Sequence, residues 1–248
     1  TWYFKHSTGS NVTKKFGFSP TAQFVGDFDG DNRTDYGVYY APGGNWYILS
    51  ASNVLTTAAF GYKGTVPVPG DYDGDGKTDM AVFDDRDGSW HQRRTTAGYT
   101  NRHFGYRGVI PLPFDYDGDG RTDMCVFDTN NATWYVQRTT EGLLTTKFGY
   151  SKVIPAPADY NGDGRTDIAI FDSLTANWYA RLSSTNITNV TFGSLGGFAV
   201  PADYDGDGID DMATYRLSTG TWLIRKSTGG VQTNNFGWSA APPVGIRP

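Results

Sequence analysis

At 248 residues, with 15% aromatics and 32 glycines, the chain is long enough for one well-buried domain or a closed array of small repeats. The formal charge of -5 gives no bias toward nucleic acid, and a single cysteine, Cys125, excludes an intramolecular disulfide. No apolar run approaches the roughly 18 residues that span a bilayer.

Thr, Tyr, Val, Phe, Asn, Asp and Gly outnumber helix formers, which predicts short strands and tight turns in an all-β domain. Residues 1–20 begin on Trp2 and reach a Phe16-Gly pair, the signature of an outer hairpin. Both marks then recur every 44 residues. Tryptophan stands at Trp46, Trp90, Trp134, Trp178 and Trp222, and Phe-Gly at Phe60, Phe104, Phe148, Phe192 and Phe236. Each full unit reads as four strands. In the second, Thr65-Val-Pro leads into an acidic loop, Met80-Ala-Val-Phe leaves it, and strands follow at Trp90 and from Tyr99 to Phe104. The apolar run after the loop implies burial on both faces. Such units predict a β-propeller spanning 1–248 as a single domain. The segment 239–246 aligns with a first strand. Six blades are therefore expected, the last abbreviated and assembled from both termini, with five blades as the alternative.

The acidic loops begin at Asp27, Asp71, Asp115, Asp159 and Asp203. Side-chain oxygens at loop positions 1, 3, 5 and 9 can converge when the backbone coils tightly. They belong to Asp27, Asp29, Asp31 and Asp35; Asp71, Asp73, Asp75 and Asp79; Asp115, Asp117, Asp119 and Asp123; Asp159, Asn161, Asp163 and Asp167; and Asp203, Asp205, Asp207 and Asp211. The main-chain carbonyls of Arg33, Lys77, Arg121, Arg165 and Ile209 at position 7 add one oxygen to each loop. Hard oxygen donors in this number, without His or Cys, select calcium, about five ions in all. That load would turn -5 into about +5. Glycine or Asn32 at position 6 permits the turn. The missing position-12 glutamate and the flanking strands set these loops apart from EF-hands.

The Asp-x-Asp-Gly-Asp-Gly-x-x-Asp loop, preceded by Phe-Gly and followed by Met-Ala-Val-Phe, resembles the FG-GAP/VCBS repeat of integrin α-subunits and secreted microbial propellers. The resemblance implies a calcium loop between the first two strands of each blade, with positions 1, 3, 5 and 9 as ligands. It also implies company with propeller lectins, adhesion modules and modules appended to secreted hydrolases.

Catalytic signals are sparse. The histidines are His6, His91 and His103, the one glutamate is Glu141, and no Gly-x-Ser-x-Gly occurs. No catalytic residue is assigned, and the chain reads as no enzyme. Cys125 takes a small apolar position held elsewhere by Ala81 and Ala169, so it is expected to be buried. The tryptophans read as packing elements. Candidate ligand contacts are Tyr47, Tyr62, Tyr106, Tyr135, Tyr150, Tyr179 and Trp238 in grooves between blades, with His91 and His103 on the basic second unit. The expectation is a secreted, calcium-stabilised module that binds glycans or glycoproteins, as a free lectin or beside other domains of a larger protein. A protein-interaction or adhesion scaffold is the alternative, and a polysaccharide lyase or hydrolase the weaker one.

Overall fold

The computed structural model describes residues 1–5, 10–182, 186–238 and 243. Among them are twenty-two strands and no helix. A hairpin of β1 (Trp2–Lys5) and β2 (Asn11–Lys14) comes first. The first blade is β3 (Ala22–Gly26), β4 (Asp35–Tyr40), β5 (Asn45–Leu49) and β6 (Leu55–Ala59). The second is β7 (Thr65–Pro67), β8 (Met80–Asp84), β9 (Ser89–Arg94) and β10 (Gly98–His103). The third is β11 (Ile110–Pro111), β12 (Met124–Asp128), β13 (Thr133–Arg138) and β14 (Gly142–Lys147). The fourth is β15 (Ile154–Pro155), β16 (Ile168–Asp172), β17 (Asn177–Arg181) and β18 (Ile187–Thr191). The fifth is β19 (Phe198–Ala199), β20 (Met212–Arg216), β21 (Thr221–Arg225) and β22 (Val231–Asn235). Each blade is an antiparallel meander in chain order. The architecture is an all-β propeller fold of five four-stranded blades with one extra two-stranded sheet.

Register repeats with the sequence. Tyr39 faces Trp46, and Phe83, Phe127, Phe171 and Tyr215 face Trp90, Trp134, Trp178 and Trp222. Trp46, Trp90, Trp134 and Trp178 are fully buried, as their packing role requires. The indole N–H of Trp46, Trp90, Trp178 and Trp222 donates to the carbonyl of Phe60, Phe104, Phe192 and Phe236, at 2.7 to 2.9 Å. The tryptophan thus fastens the start of the third strand to the Phe-Gly turn that ends the fourth. That turn needs its glycine. Gly105 stands at φ 130°, where an L side chain is strained, and its position abuts Phe83 and Val126. Cys125 is buried, and burial pushes its thiol up to about 12, so it is inert packing.

Contacts divide the chain into two compact units. Among the described residues one comprises Phe16–Asp128 and Thr133–Thr146, the other the N-terminal residues up to Lys15, Thr129–Ala132 and those from Lys147 onward. Within the second, the N-terminal hairpin lies against the fifth blade. Tyr3 meets Trp238 edge-on with ring centroids 4.5 Å apart, and the Lys5 ammonium donates to Asn234 Oδ1 at 2.9 Å. Trp238 and Tyr3 are the repeat equivalents of Tyr150 and Tyr179, which meet in the same edge-on way at the fourth blade. The hairpin therefore stands to the fifth blade as a third-and-fourth strand pair. The first strand expected from 239–246 falls, except for Pro243, outside the described residues, as does His6.

Trp90→Phe keeps an aromatic ring but leaves a small cavity and removes the donor to the part-buried Phe104 carbonyl. It is expected to lower stability by about 1–3 kcal/mol, seen as a lower melting temperature at unchanged far-ultraviolet dichroism.

Candidate functional site

Each acidic loop is wound around its first aspartate. Asp71 Oδ1 accepts from the amides of Gly74 and Asp75 and its Oδ2 from Gly76; Asp115 does the same with Gly118, Asp119 and Gly120. Asp27 and Asp159 repeat the scheme, and Asp203 holds the amides of Gly206 and Gly208. Position 6 must be left-handed for this coil. Asn32 takes φ 59° there, beside 84° at Gly76 and 81° at Gly120, so asparagine is tolerated.

The coil brings carboxylate oxygens together. Asp27, Asp29 and Asp35 have oxygens mutually within 4.8 Å, as do Asp71, Asp73 and Asp79; Asp115, Asp117 and Asp123; and Asp203, Asp205 and Asp211. Position 3 carries the telling detail. Its Oδ2 is occupied, on Asp73 by the amides of Thr96 and Ala97 and on Asp117 by those of Thr140 and Glu141. Its Oδ1 is buried without a partner on Asp73, Asp117 and Asp205 alike. Asp117 as a whole is only 4% exposed. A lone pair buried and unpaired at the same place in three loops, beside two more carboxylates, is what a hard cation satisfies. The residues present therefore fit a metal ion.

Positions 5, 7 and 9 brace this arrangement. Asp31, Asp75, Asp119, Asp163 and Asp207 accept the amides of Arg33, Lys77, Arg121, Arg165 and Ile209. The other oxygen of Asp75 takes the hydroxyls of Thr95 and Thr96, and those of Asp119 and Asp207 take Thr139 and Ser227. In these three loops the position-5 carboxylate, expected as a ligand, is thus turned toward a hairpin hydroxyl and lies outside the three-carboxylate clusters. Position 9 is buried. Asp79 accepts from Tyr72 and Thr95 and Asp123 from Tyr116 and Thr139, tying each loop to the hairpin sixteen residues on. Burial, working against those backbone hydrogen bonds, pushes Asp79 up to about 6 and Asp123 to about 7; Asp35 and Asp211 rise for the same reason.

Loops are also locked to their neighbours through position 8. The Thr78 amide donates to the Asp27 carbonyl at 2.6 Å and its hydroxyl accepts the Asp27 amide at 3.0 Å. Thr122 donates likewise to the Asp71 carbonyl, and Asp210 to that of Asp159.

The candidate ligand aromatics fall into pairs at the blade junctions. Tyr47 meets Phe18, Tyr62 meets His91, Tyr106 meets Tyr135, Tyr150 meets Tyr179, and Trp238 meets Tyr3. The Tyr62, Tyr106 and Tyr150 phenols donate to Asp84, Asp128 and Asp172 Oδ2 at 2.7 to 2.8 Å, while 37%, 41% and 45% of each residue stays exposed. Burial and then the Asp84 carboxylate raise the Tyr62 phenol to about 12, and Tyr106 and Tyr150 shift upward in the same way. In the second blade Arg86 grips Asp84 at 2.7 Å and lies over the Tyr62 ring. Hydrogen bonds from Arg86 hold the Asp84 carboxyl well below the usual range.

His91 and His103 do not form a pair. The His91 nitrogens are engaged by Tyr62 and Tyr99 at 3.0 and 2.9 Å, whereas His103 lies opposite Ser89 on the exposed β10. Because the Tyr62 hydroxyl donates to Asp84, its bond with His91 Nε2 runs from the imidazole N–H to the phenol oxygen. Asp84, Asp128 and Asp172 went unnoticed as junction residues, although they too recur at 44. So do the Thr95-Thr96 and Thr139-Thr140 pairs that hold positions 3 and 5.

Residues 115–170, running from the third acidic loop through the fourth and into β16, match the profile of the FG-GAP-like repeat. The chain carries an FG-GAP-like repeat. Virginiamycin B lyase from Staphylococcus aureus is similar in fold at 11% identity and a TM-score of 0.63, over 99% of this chain and 80% of that one. An Agrocybe aegerita lectin specific for non-reducing terminal N-acetylglucosamine is similar at 14% identity and 0.57, over 87% and 80%. A protein from Bacteroides caccae matches at 9% and 0.58, over 92% and 87%. No curated protein matches. At these identities the likeness is one of fold, and it joins a lectin to a lyase.

The raised position-9 acids set a pH dependence. They are protonated in the metal-free fold where the unfolded chain is already ionised, so their stability is full below 3.8 and lost as pH rises through about 6 to 7. Melting of cation-free protein is expected to fall between about pH 4.5 and 7.5, and a bound cation to abolish the fall. Differential scanning fluorimetry with and without chelator tests this.

Proposed function

We propose that the chain is a secreted carbohydrate-binding module whose loops are filled by calcium, and that it binds glycans without catalysis. The observation that carries the glycan reading is the junction constellation repeated at Tyr62, Tyr106 and Tyr150. Each offers a half-exposed aromatic face, held at a fixed angle by a carboxylate that takes its phenol proton. A ring face fixed in this way suits the apolar face of a pyranose, while the buried carboxylate behind it holds the ring in place. Three equivalent weak sites on one chain suit a multivalent ligand. The Agrocybe aegerita lectin supports the reading as a propeller that recognises a sugar terminus.

Calcium is the cation favoured by all-oxygen, carboxylate-rich loops with orphaned oxygens. Bound there, it neutralises clustered carboxylates and stiffens the loops. The protein's own residues do the rest: the first aspartates coil the loops, and the ninth fasten them to the hairpins.

A glycan array probed with calcium-loaded protein, begun with glycans ending in N-acetylglucosamine, is expected to give saturable binding to one coherent class. Tyr106→Ala should weaken binding to a multivalent probe about tenfold while costing about 1–2 kcal/mol of stability through the lost bond to Asp128. A blank array from folded protein would turn the reading toward a protein partner. Chelation is expected to lower the melting temperature and abolish binding together, as read by calorimetry and surface plasmon resonance.

A further inference from the structure

The fourth loop is short of charge. Asn161 stands where the other loops have aspartate, leaving carboxylates only at Asp159, Asp163 and Asp167. The next loop breaks the repeat at the two positions that face it. Over the first and second loops, position 7 of the following loop lays a cation, Lys77 against Gly30 and Arg121 against Gly74. Over the fourth loop that residue is Ile209, whose Cγ1 would sit 2.8 Å from a Cβ at Gly162. Position 8, threonine in every other loop, becomes Asp210. Its Oδ2 accepts the amide of Asp159 at 2.9 Å, and its own amide donates to the Asp159 carbonyl at 2.8 Å. One neutralised ligand is thus faced by one cation removed and one carboxylate gained.

We propose that Asp210 is a positioning residue of the fourth metal loop, supplying from the fifth loop the negative charge that Asn161 withholds, so that the two loops fill as a coupled pair. The inference rests on the calcium reading. Affinity in oxygen-ligand loops follows the charge gathered around the ion, and a carboxylate one hydrogen bond behind a ligand acts through a poorly screened path. Coupling follows from Asp210 lying next to Asp211, a member of the fifth loop's own cluster. Order imposed on the fifth loop aims the carboxylate that the fourth depends on.

The test is a calcium titration followed by NMR at two amides, Gly164 in the fourth loop and Gly120 in the third. Asp210→Asn keeps a side-chain acceptor and removes the charge; Asp210→Thr restores the residue of the other loops. Both variants are expected to raise the half-saturation point at Gly164 about tenfold and leave Gly120 unchanged, and Asn161→Asp added to Asp210→Thr to bring Gly164 back. An unmoved Gly164 midpoint with Gly120 still titrating overturns the role of Asp210. An unchanged midpoint in Asp210→Asn with a shift only in Asp210→Thr overturns the charge argument in favour of shape. Absence of titration at both amides of the wild type overturns the calcium reading itself, and this one with it.

Discussion

Like charges held at short range govern this molecule. In four loops three carboxylate oxygens lie within 4.8 Å of one another, in places where water is partly excluded. Such a cluster is repulsive unless protons or a cation intervene, and burial first, with the neighbouring carboxylates adding to it, raises Asp79 and Asp123 toward the protonated form. The surrounding hydrogen bonds make sense on that footing. Backbone amides converge on the first aspartate, hairpin amides and hydroxyls on the third and fifth, and both oxygens of the ninth are tied to backbone. The blades are spaced by this chemistry as much as by their apolar faces.

Much of this was legible in the chain itself. A strict 44-residue period placed the blades, and the apolar runs identified the second strands because burial on both faces leaves no polar alternation. The acidic loops could be located because their residues are contiguous in sequence, although Asp75, Asp119 and Asp207, expected as ligands, turn toward hairpin hydroxyls. The junctions were harder. Tyr62 and Asp84 lie twenty-two residues apart and meet only once strands from consecutive repeats are laid side by side. The pairing of His91 with Tyr99 depended on register, since a shift of one residue would have turned Tyr99 to the other face.

The two candidate chemistries sit on different parts of the blade. The metal loops join the first strand to the second, and the Tyr-Asp pairs join the turn after the fourth strand to the next blade's second. Strand β8 runs from one to the other, leaving its loop at Asp79 and ending on Asp84. Between them Ala81, Val82 and Phe83 are fully buried. Chelation can therefore reach a junction without touching it, by loosening the end of a strand whose other end carries the carboxylate.

The position-8 lock has a directional consequence. In three loops it reaches backward, so that the loop is closed by the blade that follows it: Asp27 by Thr78, Asp71 by Thr122 and Asp159 by Asp210. Among the described residues none closes Asp203, which is also the one first-position aspartate that is exposed. An exposed end without a clasp is where exchange is expected to start. A cation held by these loops would leave the fifth first, and protease or solvent deuterium would enter by the same door.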